Sequence, residues 1–200
     1  CLVSIISENP DSYMLHTPNI EITRFAAEAL EIPIEFGLTN GVKEEELADI
    51  RDTVVSARRK FAFDFLGSGG LSSEYQRSRL QKIAEEIGIC SLAPLWGIDQ
   101  QQYLRKLVSE KFNFILTSVS AAGLDDRWLG KFIDDKAAGE LLKLAEKYRF
   151  NPAFEGGEAE TLVLDCPLFL ERKLEILESE KFWDGSRGRL LIRKARLIEK

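Results

Sequence analysis

Residues 155–165 are Glu-Gly-Gly-Glu-Ala-Glu-Thr-Leu-Val-Leu-Asp, an acidic loop with two glycines that leads directly into an apolar run. Adjacent glycines let the backbone turn tightly and approach a ligand closely. The run Leu162–Leu164 predicts a buried strand that would anchor the loop. Rigid support beneath a polar loop is typical of a binding or catalytic site, although an ordinary solvated turn has the same composition. The stretch therefore predicts a loop held by a strand and leaves both interpretations open.

The organisation of the chain changes upstream of this stretch, between the loop at residues 120–126 and Asp135. Before it, short apolar segments alternate with amphipathic helices, which is typical of a doubly wound parallel sheet. Among these segments, Phe61, Phe63 and Phe65 alternate as in a strand. After it, strands follow without helices, and residues 184–188 predict the turn between the last two. We therefore expect an α/β domain in residues 1–119 and a smaller α+β domain in residues 120–200.

The composition excludes several classes of protein. The chain has 200 residues, of which 44% are hydrophobic and 30% charged, as in ordinary globular proteins. Its net charge of -6 argues against direct DNA binding and against binding to anionic membranes. No apolar run is long enough to span a bilayer. Cys1, Cys90 and Cys166 follow no metal or redox spacing, which fits the cytoplasm, a reducing compartment.

A second glycine-rich loop, Gly67-Ser68-Gly69-Gly70, lies between a predicted strand and a predicted helix. Backbone N–H groups and the helix dipole favour phosphate at such a position. In parallel sheets, ligands bind beyond the carboxyl ends of the strands, where we also expect the loop at residues 121–126. The sequence matches neither of the common phosphate-loop patterns, so a flexible turn is the alternative.

The helix after this loop begins with Tyr75, Gln76, Arg77 and, two residues later, Arg79. Arginines in the first turns oppose the helix dipole, and they are therefore candidates for bidentate binding of carboxylate or phosphate. A solvated helix face with the tyrosine packed on the core is the alternative. Trp96 stacks on a base or lines the core.

Acidic pairs at 125–126 and 134–135 are candidates for Mg²⁺ binding, but such pairs more often cap helices. His16 is the only histidine, which predicts a structural role because a single histidine cannot form a histidine-rich metal site. The metal-binding residues therefore stay unknown at this point.

Several stretches together resemble the diphthine–ammonia ligase family, a branch of the N-type ATP pyrophosphatases in the PP-loop superfamily of adenine nucleotide alpha-hydrolase-like proteins. The combination is specific, although no single stretch is decisive. The stretches are Asp11-Ser12-Tyr13-Met14 with Thr17, Ser73-Glu74-Tyr75-Gln76-Arg77 with Arg79, Leu95-Trp96 with Asp99-Gln100, Gly123-Leu124 with Leu129-Gly130, Glu146-Lys147-Tyr148, and residues 155–165 followed by Pro167.

The resemblance implies a Rossmann-like (HUP-type) nucleotide-binding domain followed by the smaller domain. It implies ATP and Mg²⁺ as cofactors and ATP-dependent amidation of diphthine on translation elongation factor two. The carboxylate is activated as an acyl-adenylate, and ammonium supplies the nitrogen of diphthamide. Amidation of a small-molecule carboxylate, a non-catalytic adenine-nucleotide-binding module and a purely structural protein are the alternatives. Formation of a homodimer is left open.

The resemblance also implies roles for particular residues. Glu155, Glu158 and Glu160 are expected to be catalytic, either by binding the trimethylammonium or ammonium cation or by acting as general base. On this view, the variant E158Q loses amidation and keeps its fold. The expected cofactor-binding residues are Ser4, Ile5, Ile6, Gly67, Ser68 and Gly69. The expected substrate-binding residues are Tyr75, Gln76, Arg77, Arg79, Trp96, Gly123, Leu124, Asp125, Gly156, Gly157 and Thr161.

The sequence departs from the family pattern in three places. The family's phosphate loop, of Ser-Gly-Gly-Lys-Asp-Ser type, and the strand before it are expected upstream of Cys1. Phe154 stands where the family usually has a small residue, and Ala159 stands where it usually has an aromatic one. We expect these two substitutions to alter the packing of the loop and the fit of the substrate.

Overall fold

A computed structural model describes residues 1–9, 15 and 19–200. The family stretch at residues 11–14, His16 and Thr17 lie outside the described residues. In chain order the elements are β1 (Leu2–Ser7), α1 (Thr23–Leu30), β2 (Ile34–Thr39), α2 (Glu46–Phe61), β3 (Phe65–Gly67), α3 (Glu74–Glu86), β4 (Cys90–Leu92), α4 (Gln100–Ser109), β5 (Asn113–Val119), α5 (Asp135–Tyr148), β6 (Ala159–Asp165), β7 (Arg172–Trp183) and β8 (Gly188–Glu199). Short 3₁₀ turns occupy Ile20–Ile22 and Asp126–Trp128. None of the described helices is both long and apolar enough to cross a bilayer.

The first of two compact units comprises Cys1–Ile20 and Ile32–Ile98. Its strands form two parallel pairs, β1 with β2 and β3 with β4. Helices α2 and α3 pack on these strands around a core that includes Ile5, Ile50, Val54 and Ile83. Parallel strands connected by helices confirm the predicted α/β class.

Close packing of α2 on β2 depends on a glycine. A Cβ atom at Gly37 would lie 2.0 Å from the hydroxyl oxygen of Thr53 on α2. The helix can therefore approach the strand this closely only because Gly37 has no side chain.

The predicted strand around Phe61 is wrong at its first residues. Helix α2 continues to Phe61 and ends at Ala62, which has a left-handed backbone (φ 46°) and donates its N–H to Arg58 O at 3.0 Å. Only Phe65 of the three alternating phenylalanines lies in a strand. The alternation was misleading because exposed aromatics at a helix end imitate a two-residue period.

The second unit comprises Glu21–Glu31 and Asp99–Lys200. It contains a four-stranded sheet with the order β6-β5-β8-β7, in which all neighbours are antiparallel. Helix α5 supplies Leu141 and Leu142 to the main core, which also includes Leu116 of β5. The turn predicted at residues 184–188 connects β7 and β8, and Asp184 accepts hydrogen bonds from Ser186 N and Arg187 N at 2.8 and 2.7 Å.

The division of the chain differs from the predicted boundary after residue 119. Strand β5 was expected in the parallel sheet, but it pairs with β6 along its length and with β8 at Ser118 and Val119. These antiparallel pairings place β5 in the second unit. The loop at residues 121–126 therefore follows an antiparallel strand of the second unit.

The ammonium group of Lys200 contacts three other residues at one end of the second unit's sheet. Lys200 Nζ lies 2.8 Å from Asp165 Oδ1 and donates to Cys166 O at 2.9 Å and to Phe169 O at 2.8 Å. Its side chain is only 31% exposed. The lysine thus connects the residue that follows β8 to the end of β6 and the segment after it.

The variant K200M should lower the free energy of unfolding by about 1–3 kcal/mol, because two carbonyl groups and a carboxylate lose a charged donor. Urea denaturation followed by tryptophan fluorescence measures the difference. The matched control is K194M, which removes an exposed lysine of β8. Equal unfolding midpoints for the two variants would contradict this account of Lys200.

Candidate functional site

The Glu-Gly-Gly-Glu loop is folded back on itself by the carboxylate of Glu158. One carboxylate oxygen accepts the N–H of Asn151 at 3.0 Å, and the other accepts the N–H of Gly156 at 2.7 Å. A Cβ atom at Gly156 would lie 2.7 Å from the same carboxylate, so a side chain at this position would displace the Glu158 carboxylate. Hydrogen bonds from backbone N–H groups to a carboxylate are among the stronger ones in proteins. Glu158 therefore shapes the loop.

The loop is also attached to the end of β5. Ser120 N and Ala121 N donate to the carbonyl of Glu158 at 2.8 and 3.2 Å, and the Ser120 hydroxyl donates to Gly157 O at 2.6 Å. Gly157 has a φ of +78°, a conformation that favours glycine. Two neighbouring strands thus fix the position of the loop, as the sequence predicted for a supported loop.

The carboxylate of Glu155 acts electrostatically on Tyr103, a residue of α4. Burial raises the pKa of the Tyr103 hydroxyl, and the negative charge of Glu155 raises it further. Tyr103 lies on α4, and its proximity to Glu155 arises from the tertiary fold. No local pattern in the sequence signals this contact.

Phe154 and Ala159, the two departures from the family pattern, are both buried. Phe154 is 7% exposed and stacks on Phe150 with ring centroids 6.4 Å apart. Ala159 is 3% exposed and belongs to the same core cluster. The substitutions therefore act on the packing beneath the loop, and both side chains lie within the core of the unit.

Other predicted substrate-binding residues lie in the second unit as well. Leu124 is buried in the core, and Gly123 lies against the ring of Tyr148, where a Cβ atom would come within 2.3 Å of a ring carbon. Asp125 caps the 3₁₀ turn through the N–H of Arg127 at 3.0 Å, as the helix-cap interpretation predicted. The Arg127 guanidinium also lowers the pKa of Asp125.

Glu160 and Thr161 are among the first residues of β6, the strand that begins beside the loop. Glu160 stands opposite Ser118 of β5, and Thr161 stands opposite Leu116. Thr161 is exposed, whereas Glu160 is partly buried. The backbone after the loop is thus held by its pairing with β5, and Glu160 adds one further carboxylate.

In the first unit, Tyr75 and Arg79 both bind Glu44. The Tyr75 hydroxyl donates to Glu44 Oε1 at 2.8 Å, and Arg79 Nη2 donates to the same oxygen at 2.6 Å. The guanidinium carbon of Arg79 lies 3.5 Å from the centroid of the Tyr75 ring. Arg79 is the main cause of the lowered pKa of Glu44. These hydrogen bonds therefore connect α3 to the segment before α2.

The neighbouring glycine loop is open. A Cβ atom at Gly67, Gly69 or Gly70 would contact nothing within 4 Å, while Ser68 N donates to Leu92 O at 2.9 Å. Ser73 caps α3 by accepting the N–H of Gln76 at 3.4 Å. The glycine loop beside the start of α3 is therefore uncrowded, and the N–H of Ser68 is already used in a backbone hydrogen bond.

Two further aromatic and apolar predictions can be compared with the structure. Arg77 lies over the Trp96 ring at 4.6 Å and binds Glu74, so this arginine and this tryptophan form one cluster. Ser4 and Ile5 are buried, and Ile5 belongs to the core of the first unit. Ile5 packs into the core from the strand that is predicted to line the nucleotide site, and its predicted role stays a prediction. Ile6 is partly buried in the same strand.

The aspartate pairs act as helix caps. Asp125 caps the 3₁₀ turn, and Asp134 caps α5 by accepting the N–H of Ala137 at 2.8 Å. Within the described residues, no three histidine, cysteine, aspartate or glutamate side chains form a group that would hold a metal ion. All three cysteines are free.

Comparison with known proteins identifies relatives over nearly the whole chain. Residues 1–91 match the model of the diphthamide synthase N-terminal domain, and residues 99–198 match that of the diphthamide synthase C-terminal domain. A human protein named diphthine–ammonia ligase is 31% identical over 186 residues, which cover 87% of this chain and 69% of the human one. Proteins of the same name from Danio rerio and Schizosaccharomyces pombe are 32% and 29% identical and are covered over 69% and 33% of their lengths.

The two matched regions agree with the structural division. The first match ends at residue 91 and the second begins at residue 99, and the chain passes from the first unit to the second between Ile98 and Asp99. The chain belongs to the diphthamide synthase family, whose members include the diphthine–ammonia ligases.

Proposed function

We propose that this protein is an ATP-dependent diphthine–ammonia ligase, which amidates diphthine on translation elongation factor two in the cytoplasm. The observation that carries the proposal is the match of both units to the two diphthamide synthase domains. The names of the relatives support the reaction.

The chemistry explains why the reaction needs ATP. A carboxylate is a poor electrophile until one of its oxygens becomes a good leaving group. Attack of the diphthine carboxylate on the α-phosphorus of ATP forms an acyl-adenylate and releases pyrophosphate. Ammonia, formed when ammonium loses a proton, then forms the C–N bond as AMP leaves. The protein must orient the carboxylate and exclude water from the activated acyl group.

The first unit would bind ATP. The open glycine loop at residues 67–70 next to the start of α3 lets phosphate oxygens approach the backbone, and Arg77 and Arg79 contribute positive charge. Mg²⁺ would neutralise phosphate charge there when bound. Tyr75 and Gln76 lie in the first turn of the same helix, and the hydrogen bond to Glu44 fixes the position of Tyr75.

The second unit would bind the group that is amidated. Glu158 has both carboxylate oxygens occupied by backbone N–H groups, which fits a positioning residue better than a general base. Glu155, beside Tyr103, is the better candidate to bind ammonium or the trimethylammonium group, or to take a proton from ammonium. Glu160 and Thr161 extend this polar surface along β6.

Incubation with ATP, Mg²⁺, ammonium and diphthine-bearing elongation factor two should release AMP and change the mass of the factor from acid to amide. Intact-mass spectrometry and AMP quantification measure both products. AMP release without a mass change would indicate a small-molecule carboxylate as substrate. ATP binding without AMP release would contradict the ligase proposal and favour a nucleotide-binding module.

The variants E155Q and E158Q should separate chemistry from loop structure. E155Q should slow amidation by roughly 10²–10⁴-fold if Glu155 is the base. Its free energy of unfolding should stay within about 0.5 kcal/mol of the parent's. E158Q should instead lower the free energy of unfolding by about 1–2 kcal/mol, because a glutamine amide nitrogen cannot accept a backbone N–H.

Kinetics and urea denaturation of the same preparations check this pair. The control is E171Q, which neutralises an exposed glutamate of the second unit and should match the parent in both measurements. Parent-like turnover in E155Q would exclude Glu155 as the base. Parent-like stability in E158Q would show that the loop does not depend on its carboxylate.

A further inference from the structure

A cleft of about 440 Å³ lies in the second unit between α5 and the segment of residues 123–131. Four cationic side chains line it, with Glu140 as the acidic member of the lining. The cations are Arg127, Lys131, Lys143 and Lys147. In a chain with a net charge of -6, such a local excess of positive charge is unexpected. The cleft therefore favours a negatively charged occupant.

Two of the four cations are already neutralised. Arg127 binds both carboxylate oxygens of Asp125, with its shortest contact at 2.7 Å. Lys131 Nζ lies 2.9 Å from Glu140 and 4.0 Å from the centroid of the Trp128 ring. The hydrogen bond from Lys131 is the main cause of the lowered pKa of Glu140, and the positive charge of Lys131 lowers it further.

Lys143 and Lys147 differ from these two. Both are exposed, and neither forms an ion pair with a carboxylate of the described part of the chain. They are four residues apart on α5, and their Cα atoms are therefore separated by about one helical turn, roughly 6 Å along the axis. They form a short cationic row that is available to a ligand.

We refer to this cleft between α5 and residues 123–131 as the groove. Its lining includes Leu144 and Trp128, and Trp128 is only 6% exposed, so the base of the groove is apolar. Lys143 and Lys147 lie in one row on α5, and the Tyr148 ring, whose centroid is 4.9 Å from Lys147 Nζ, does not neutralise the charge of that lysine. An extended segment with acidic and apolar side chains matches both features.

The groove lies next to the Glu-Gly-Gly-Glu loop. Gly123, which lines the groove, is three residues after Ser120, whose hydroxyl and N–H bind the loop at Gly157 and Glu158. A segment bound in the groove would therefore lie beside the loop that we assign to the amidated group.

We propose that this groove docks an acidic segment of the protein substrate near the residue to be amidated. The inference rests on the proposed function, because that function supplies the protein substrate. The unpaired lysines attract the acidic side chains, and the apolar base contacts the rest of the segment. The groove thus contributes to recognition of the protein and not to the chemical step.

The double variant K143E/K147E tests this inference. In amidation assays, KM for diphthine-bearing elongation factor two should rise at least about tenfold, while KM for ATP and kcat at saturating factor stay within about twofold of the parent. In the parent, the same KM should rise between about 50 and 200 mM salt, and the variant should lose most of this dependence. Fluorescence anisotropy with labelled factor measures binding without turnover.

The matched control is K106E/K194E, which makes the same change in net charge at two exposed lysines outside the groove. Equal KM values for the factor in parent and K143E/K147E would overturn the docking inference, as would a rise confined to KM for ATP, which would indicate a nucleotide site. If the parent binds the factor through these lysines but does not amidate it, the proposed function fails and docking stands. If the parent amidates the factor with unchanged KM in the variant, docking alone fails.

Discussion

The candidate site depends on one carboxylate that is bound by two backbone N–H groups. Glu158 receives hydrogen bonds from Asn151 and Gly156, and its own carbonyl receives two more from Ser120 and Ala121. Without these bonds, a loop with adjacent glycines would lose little by moving, since glycine has the largest backbone entropy. The position of Glu155 relative to Tyr103 follows from this fixed loop. The groove beside α5 is connected to the same anchor through the segment from Ser120 to Gly123.

The unit that contains this site is stabilised in a similar way elsewhere. Lys200 uses one ammonium group to donate to two carbonyl groups beyond the end of β6 and to form an ion pair with Asp165, the last residue of that strand. In both places, a charged side chain stabilises irregular backbone that the sheet itself does not pair. Buried or partly buried backbone groups need such partners, because unpaired ones are costly. Irregular segments can therefore be held firmly enough to carry a site.

Local patterns in the sequence predicted many of the elements and several of their ends. The caps at Asp99 and Asp125 and the turn at Asp184 follow from side chains that act on residues two or three positions away. The partner strands of β5 could not be predicted in this way, because a buried apolar strand has the same pattern in parallel and antiparallel sheets. The contact partners of Glu158 and Tyr103 could not be predicted from local patterns either. Their roles depend on contacts between segments, and a glutamate in a glycine-rich loop can serve equally as a base or as an acceptor for backbone N–H groups.

Amide hydrogen exchange at Asn151 and Gly156 tests the central claim most directly. If the carboxylate of Glu158 holds the loop, both amides should be protected in the parent protein, although Gly156 is exposed, and E158Q should lose at least one of these protections. Exchange of the parent amides at the rate of an unstructured chain would contradict the account. Both the assignment of Glu158 as a positioning residue and the fixed location of Glu155 would then have to be abandoned.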